Sequence, residues 1–121
     1  MKILNLTQHA PTDSQLAAGV DDLSSGDKVI LRDLLTFSSL PTRDEINAAA
    51  LNIAELAAPY GTEFVLIGGA PFLMGVLESA LKARGLTPLY AFSQRQSTEF
   101  TNDEGVVTKV NTFVHLGFVE A

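Results

Sequence analysis

There is no cysteine among the 121 residues. Disulfide frameworks, thiolate zinc sites, iron–sulfur clusters and thiol catalysis are thereby excluded. Positive charge is scarce: eight Lys and Arg stand against 14 Asp and Glu, a formal net charge of −6. That balance argues against a broad basic face for duplex nucleic acid and leaves room for a local anion pocket. No long hydrophobic run is present. The longest charge-free apolar stretch, residues 64–77, is broken by Gly68, Gly69, Pro71 and Gly75 and is too short to span a bilayer. The apolar part of Met1–Leu6 is too short for a secretion signal, so the sequence reads as cytoplasmic. There is no internal repeat, no GxGxxG fingerprint, no P-loop and no assignable Ser–His–acid triad.

What is present is a single domain's worth of chain, 46% apolar and 18% charged, read as one unit over 1–121. Residues 2–6 have the composition of a buried strand. Thr12 and Gln15 have capping-box spacing and predict a short helix over 13–18 that stops at Gly19. Val20 to Leu23 reads as a short strand or an extended connection. Asp27 is the expected N-cap of a helix over 28–37, with Ile30, Leu31, Leu34 and Leu35 at helical spacing. Thr42 and Glu45 form a second capping box. The helix they start should run to about Ala58, bury Ile46, Ala49, Ala50, Ile53 and Ala57, and end at Pro59 and Gly61.

Glu63–Ile67 reads as a strand ending at Gly68-Gly69, and Pro71 as the first residue of the next helix. That helix should bury Phe72, Leu73, Val76, Leu77, Ala80 and Leu81 and be capped by Gly85. Leu89–Phe92 begins another strand. Gln96–Thr101 and Val106–Val119 then read as a hairpin around Asn102–Gly105. A regular hairpin would set Phe92 against His115, Gln94 against Phe113 and Arg95 against Thr112. A bulge would shift this by one residue. The strand–helix–strand unit implies parallel pairing with a right-handed crossover. The expected fold is thus a small Rossmann-like α/β domain, its mixed sheet having parallel core strands and a C-terminal antiparallel hairpin.

Open sheets of this kind bind ligands beyond the carboxyl ends of their parallel strands. Three segments should meet there: Asn5–His9, Gly68–Pro71, and Ser93-Gln94-Arg95. Residues 3–12, 64–77 and 86–94 carry no Asp, Glu, Lys or Arg, and the cation Arg95 directly follows the last of them. With a helix N-terminus added, the site would be mildly electropositive and lined by amides and hydroxyls. That suits a phosphate-bearing small ligand better than a metal ion. Each part also has an ordinary reading. Gly68-Gly69 can be a plain strand-to-helix turn, His9 a loop histidine, His115 a packed strand residue, and Arg95 half of a surface ion pair with Glu99.

Asn5–Thr12 and Gly68–Pro71 together resemble the small Rossmann-like proteins found beside type III CRISPR systems, which bind or degrade cyclic oligoadenylate messengers in antiviral defence. The resemblance implies a ring nuclease acting as a homodimer, a two-fold pocket matching a ligand with rotational symmetry. It implies a metal-independent, cofactor-free reaction in which a ribose 2′-hydroxyl attacks the adjacent phosphorus. His9 would be the general base or acid, and Arg95 and the amides around Gly68, Gly69 and Ala70 would hold the phosphate. Thr7, Gln8, Ser93 and Gln94 would position ribose or base. A single arginine near the pocket fits slow turnover or modest affinity. Two other classes stay open: a nucleotide binder without catalysis, which would need the pocket but not His9, and a ligand-free dimerising adaptor domain.

Overall fold

The computed structural model describes residues 1–121. In chain order the elements are β1 Ile3–Asn5, α1 Asp13–Ala17, β2 Val20–Asp21, α2 Ser25–Leu35, α3 Arg43–Ala57, β3 Phe64–Leu66, α4 Pro71–Ala83, β4 Thr87–Thr101 and β5 Val107–Glu120. A 3₁₀ turn over Ala58–Tyr60 follows α3. The five strands form one sheet in the order β2-β1-β3-β4-β5. The first four run parallel, and β5 returns antiparallel along β4. This is the small Rossmann-like α/β arrangement that the sequence predicts. The segment from Val20 resolves into a strand, because its backbone pairs with Ile3 and Leu4.

Local chemistry places the helix ends. Thr12 and Gln15 close a full capping box around α1. Thr42 Oγ1 accepts from Glu45 N at the start of α3. Pro71 opens α4, where its missing N–H costs no intrahelical bond. Gly85, at φ +75°, ends it in a Schellman motif: Leu86 N donates to Leu81 O and Gly85 N to Lys82 O. The N-cap of α2 is Ser24, not Asp27, and the helix starts three residues earlier than its apolar spacing suggests. Ser24 Oγ accepts from Asp27 N, while the Asp27 carboxylate accepts from the Tyr60 hydroxyl at 2.6 Å. Asp27 therefore ties the helix to the turn after α3 instead of capping it.

The core is asymmetric. Leu4, Leu6, Val65 and Ile67 point to the face covered by α2, α3 and α4, where they join Leu31, Ile53, Leu73, Leu77 and Leu81. All five residues expected on the buried face of α3 are buried. On α4, Leu73, Leu77 and Leu81 are buried as expected and Met74 joins them, but Phe72 stays exposed and packs edge-on against Phe37. The opposite face of the sheet carries a small cluster, Ile3, Val20, Leu66 and Leu89, flanked by Phe64 and Phe118. The right-handed crossover rule assigns the short α1 to that side. Gly19 lets the chain turn back under β1. At φ +103°, its Cβ position would lie 1.9 Å from the Met1 carbonyl oxygen, so only glycine fits.

The C-terminal third departs most from expectation. Ser93-Gln94-Arg95 is not a loop between two strands: β4 runs unbroken from Thr87 to Thr101. Its ladder with β3 ends at Leu89, and beyond that only β5 accompanies it. A bulge between Phe92 and Ser93 offsets the register. Arg95 consequently faces Phe113, Gln94 faces Val114, and Phe92 faces Gly117. Every residue from Ala91 to Phe113 is exposed. The hairpin is thus a free two-stranded arm leaving the carboxyl edge of the parallel sheet.

Candidate functional site

The chain leaves β1 buried and in register, and Asn5 then organises the loop that follows. Asn5 is only 3% exposed. Its Nδ2 donates to the His9 carbonyl at 2.9 Å and to Asp22 Oδ1 at 3.0 Å. Its Oδ1 accepts from the Thr7 amide at 3.0 Å and the Thr7 hydroxyl at 2.8 Å. One buried amide therefore fixes the Thr7–His9 turn and pins it to the end of β2. An asparagine suits this position because it offers donors and an acceptor at one point.

Beside this turn lies a cleft of about 280 Å³ lined by Asn5, Thr7–Ala10, Asp22 and the Lys28–Arg32 stretch of α2. Lys28 and Arg32 are four residues apart on α2, so they share a helix face. Lys28 Nζ reaches Asp22 Oδ2 at 2.8 Å. Partial burial pushes the Asp22 carboxyl up, but hydrogen bonds from Lys28 and Asn5 and the charge of Lys28 outweigh it and hold it below its ordinary range. Arg32 has only an exposed contact at 4.0 Å to its neighbour Asp33, a pairing too loose to hold it. With Lys28 neutralised by Asp22, Arg32 carries the cleft's surplus positive charge. His9 lines the same cleft, and both its ring nitrogens are free of hydrogen bonds within the chain.

The structure brings together part of the residue set expected from the sequence. Thr7, Gln8 and His9 line the cleft. Gly68 is outside the lining but next to Thr7: a Cβ there would sit 3.6 Å from the Thr7 methyl, an ordinary contact. Gly69 lies at φ +156° against Met74 and Leu35, and Ala70 is the residue preceding α4. Both belong to the strand-to-helix turn and stand outside the cleft lining. Ser93, Gln94 and Arg95 lie on the arm. Arg95 is six residues past the last β3–β4 pair, Leu66↔Leu89, so it stands about 20 Å along the strand from the ends of β1 and β3. Within one chain it does not meet His9. It also forms no ion pair with Glu99, which instead sits 4.0 Å from Lys109.

Sequence reading missed Asn5's organising role, Asp22, Lys28 and Arg32. The paired acids at Asp21-Asp22 look like solvated turn charges until β2 is recognised as a strand beside β1. Lys28 and Arg32 look like the solvent face of an amphipathic helix, and their spacing is the one signal that could have grouped them. No helix is long and apolar enough to cross a membrane. Among curated proteins and among solved structures, nothing matches this chain. A family model does match, over residues 1–119, and on that near-complete coverage the chain belongs to the Uncharacterized protein MJ1673 family.

Proposed function

We propose that the cleft between the β1 loop and α2 binds a nucleotide unit through its phosphate, and that the protein is a metal-independent ring nuclease for a cyclic oligoadenylate in type III CRISPR signalling in the cytoplasm. The family description assigns no activity, so the reading rests on the site. The observation that carries it is the convergence of His9, Lys28 and Arg32 on one small cleft whose only carboxylate, Asp22, is already paired. The loosely paired Arg32 guanidinium and the remaining donors of Lys28 on one helix face, next to the His9 imidazole, are a suitable set for a phosphodiester.

Arg32 and Lys28 hold the non-bridging phosphate oxygens, and the Thr7 hydroxyl and Gln8 orient the ribose. His9 takes the proton from the ribose 2′-hydroxyl. The 2′-oxygen bonds to phosphorus and the bond from phosphorus to the 5′-oxygen breaks. Water supplies the proton to the departing 5′-oxygen, leaving a linear product with a 2′,3′-cyclic phosphate at one end and a 5′-hydroxyl at the other. The cleft volume of about 280 Å³ stands at the lower end of small-ligand pockets. It fits one nucleotide unit, so the rest of a ring would lie outside it.

A second reading, a nucleotide binder without catalysis, is favoured by the free His9 imidazole, which no hydrogen bond orients. The deciding experiment incubates the protein with cyclic tri-, tetra- and hexa-adenylate in EDTA, read by mass spectrometry and native-gel shift. Linear products from one ring size are expected. They should fall about 10²–10⁴-fold in His9→Ala, while the gel shift persists. A shift without products selects the binder. Neither signal with any ring overturns the nucleotide reading.

A further inference from the structure

Eight of the fifteen exposed large apolar side chains fall between Phe92 and Val119, under a quarter of the chain. Phe92, Phe100 and Phe113 are 53%, 56% and 75% exposed. Alternation along the ladder puts them on both faces of the arm. Phe100 and Val110 share the face of Tyr90, which packs towards the helices, while Phe113 and Val107 share the face of Phe118. Both edges are open as well. Beyond Leu89 the outer side of β4 has no neighbour, and β5 is the edge strand throughout. A two-stranded ribbon with both faces and both edges in water is marginal on its own, and such edges invite another strand.

We infer that a second copy of this chain covers the arm, so that the protein is a dimer joined by its hairpins. Three observations select that partner. First, the exposed fractions of those eight side chains amount to roughly 800 Å² of apolar surface, about what each partner contributes to a standard interface. A second copy brings an arm with the same apolar faces and the same open edges, so each arm offers the other matching surface.

Second, the arm is self-complementary. Arg95 and Glu99 lie on one face, two positions either side of Ser97. Two arms packed antiparallel about Ser97 set each Arg95 against the Glu99 of the other copy. Arg95 has no carboxylate partner within its own chain, and the Lys109 contact of Glu99 is loose, at 4.0 Å between two largely exposed side chains.

Third, residues 92–119 hold two cations against three carboxylates. That near-neutral balance fits neither a nucleic acid nor an anionic membrane surface. The arm leaves the same carboxyl edge of the sheet from which the His9 loop emerges, so the interface lies at the end of the molecule that bears the cleft. The association does not depend on what the cleft binds.

The test combines sedimentation with hydrogen exchange on the full chain, alongside a Phe100→Glu, Phe113→Glu double variant that places one charge on each face. Wild type should sediment as a dimer, and amides of 93–101 and 107–115 should gain protection as concentration rises. The double variant should sediment as a monomer with unchanged helical circular dichroism, since neither phenylalanine belongs to the core. The inference is overturned if wild type stays monomeric up to about 100 µM, well above the dissociation constant of a stable interface of this size. A dimer whose arm amides exchange freely overturns it too, as does a double variant that remains dimeric.

Discussion

The body and the arm of this protein solve the same backbone problem by different means. In the body, three-residue strands suffice, because β1 and β3 lie between neighbours on both sides and their side chains are buried above and below. In the arm, nine paired residues per strand beyond the bulge bury almost nothing. Its turn is well made: Asn102 Oδ1 accepts from both Glu104 N and Val106 N at 2.9 Å. Local hydrogen bonding therefore shapes the arm, and packing stabilises the body. A short strand inside a sheet is secure, whereas a long ribbon outside it waits for a partner.

The sharpest way to break this contrast is truncation of matched side chains. Ile53→Ala and Leu73→Ala remove fully buried side chains and should each cost about 2–5 kcal/mol in urea denaturation. Phe113→Ala, at submicromolar protein, should change stability by under about 0.5 kcal/mol. A large loss at Phe113 would make the arm part of the monomer's core.

Glycine offers the next comparison. Gly19→Ala meets both a backbone clash and a left-handed φ and should cost roughly 3 kcal/mol. Gly105→Ala, at φ +78° with open space around it, should cost only about 1 kcal/mol. Equal losses would mean that the close approach of Met1 to Gly19 is not maintained in solution.

Asn5→Ala tests the loop organiser. It strands the Thr7 amide and part of Asp22, so a loss of about 1–3 kcal/mol is expected. Amides of residues 7–9 should exchange faster while those of the arm stay unchanged.

The smallest effects are pH-dependent. Asp22 is held below its ordinary value of 3.8 in the folded state. Its contribution is therefore present above that value and disappears as pH falls through the lower folded value. Asp22→Asn should flatten that acid limb of a denaturation-versus-pH curve. Tyr90 behaves in the opposite sense. Burial and its hydrogen bond to Glu78, at 2.7 Å, push the phenol from 10.0 up to about 12. Stability from keeping it neutral is full below pH 10 and is lost between 10 and about 12. Tyr90→Phe should remove that alkaline decline.

Elements announced by caps and periodicity were legible in the sequence. The Thr12 and Thr42 caps, the buried face of α3, Pro71 and Gly85 all stand where their chemistry puts them. What escaped depends on long-range geometry. Ser24 and Asp27 are both competent caps, and the choice between them turns on Tyr60, 33 residues from Asp27. The bulge opposite Phe92 leaves Leu116 of β5 unpaired beside Gly117, a glycine that hints at a bulge without fixing which residue is skipped. The polar run Ser93-Gln94-Arg95 reads as a loop because nothing buries it, yet it pairs as strand. Of the site, Thr7, Gln8 and His9 were found from their place after a strand. Lys28 and Arg32 were not, because a helix face becomes a cleft wall only once α2 is docked beside β1.

The most direct test of where ligand chemistry resides is a titration of the isotopically labelled protein with adenosine 3′-monophosphate, followed through backbone amide shifts. The expected result is a saturable change at residues 5–10, Asp22 and Lys28–Arg32, with residues 93–101 unmoved. Shifts confined to the arm around Arg95, or none anywhere, would contradict it.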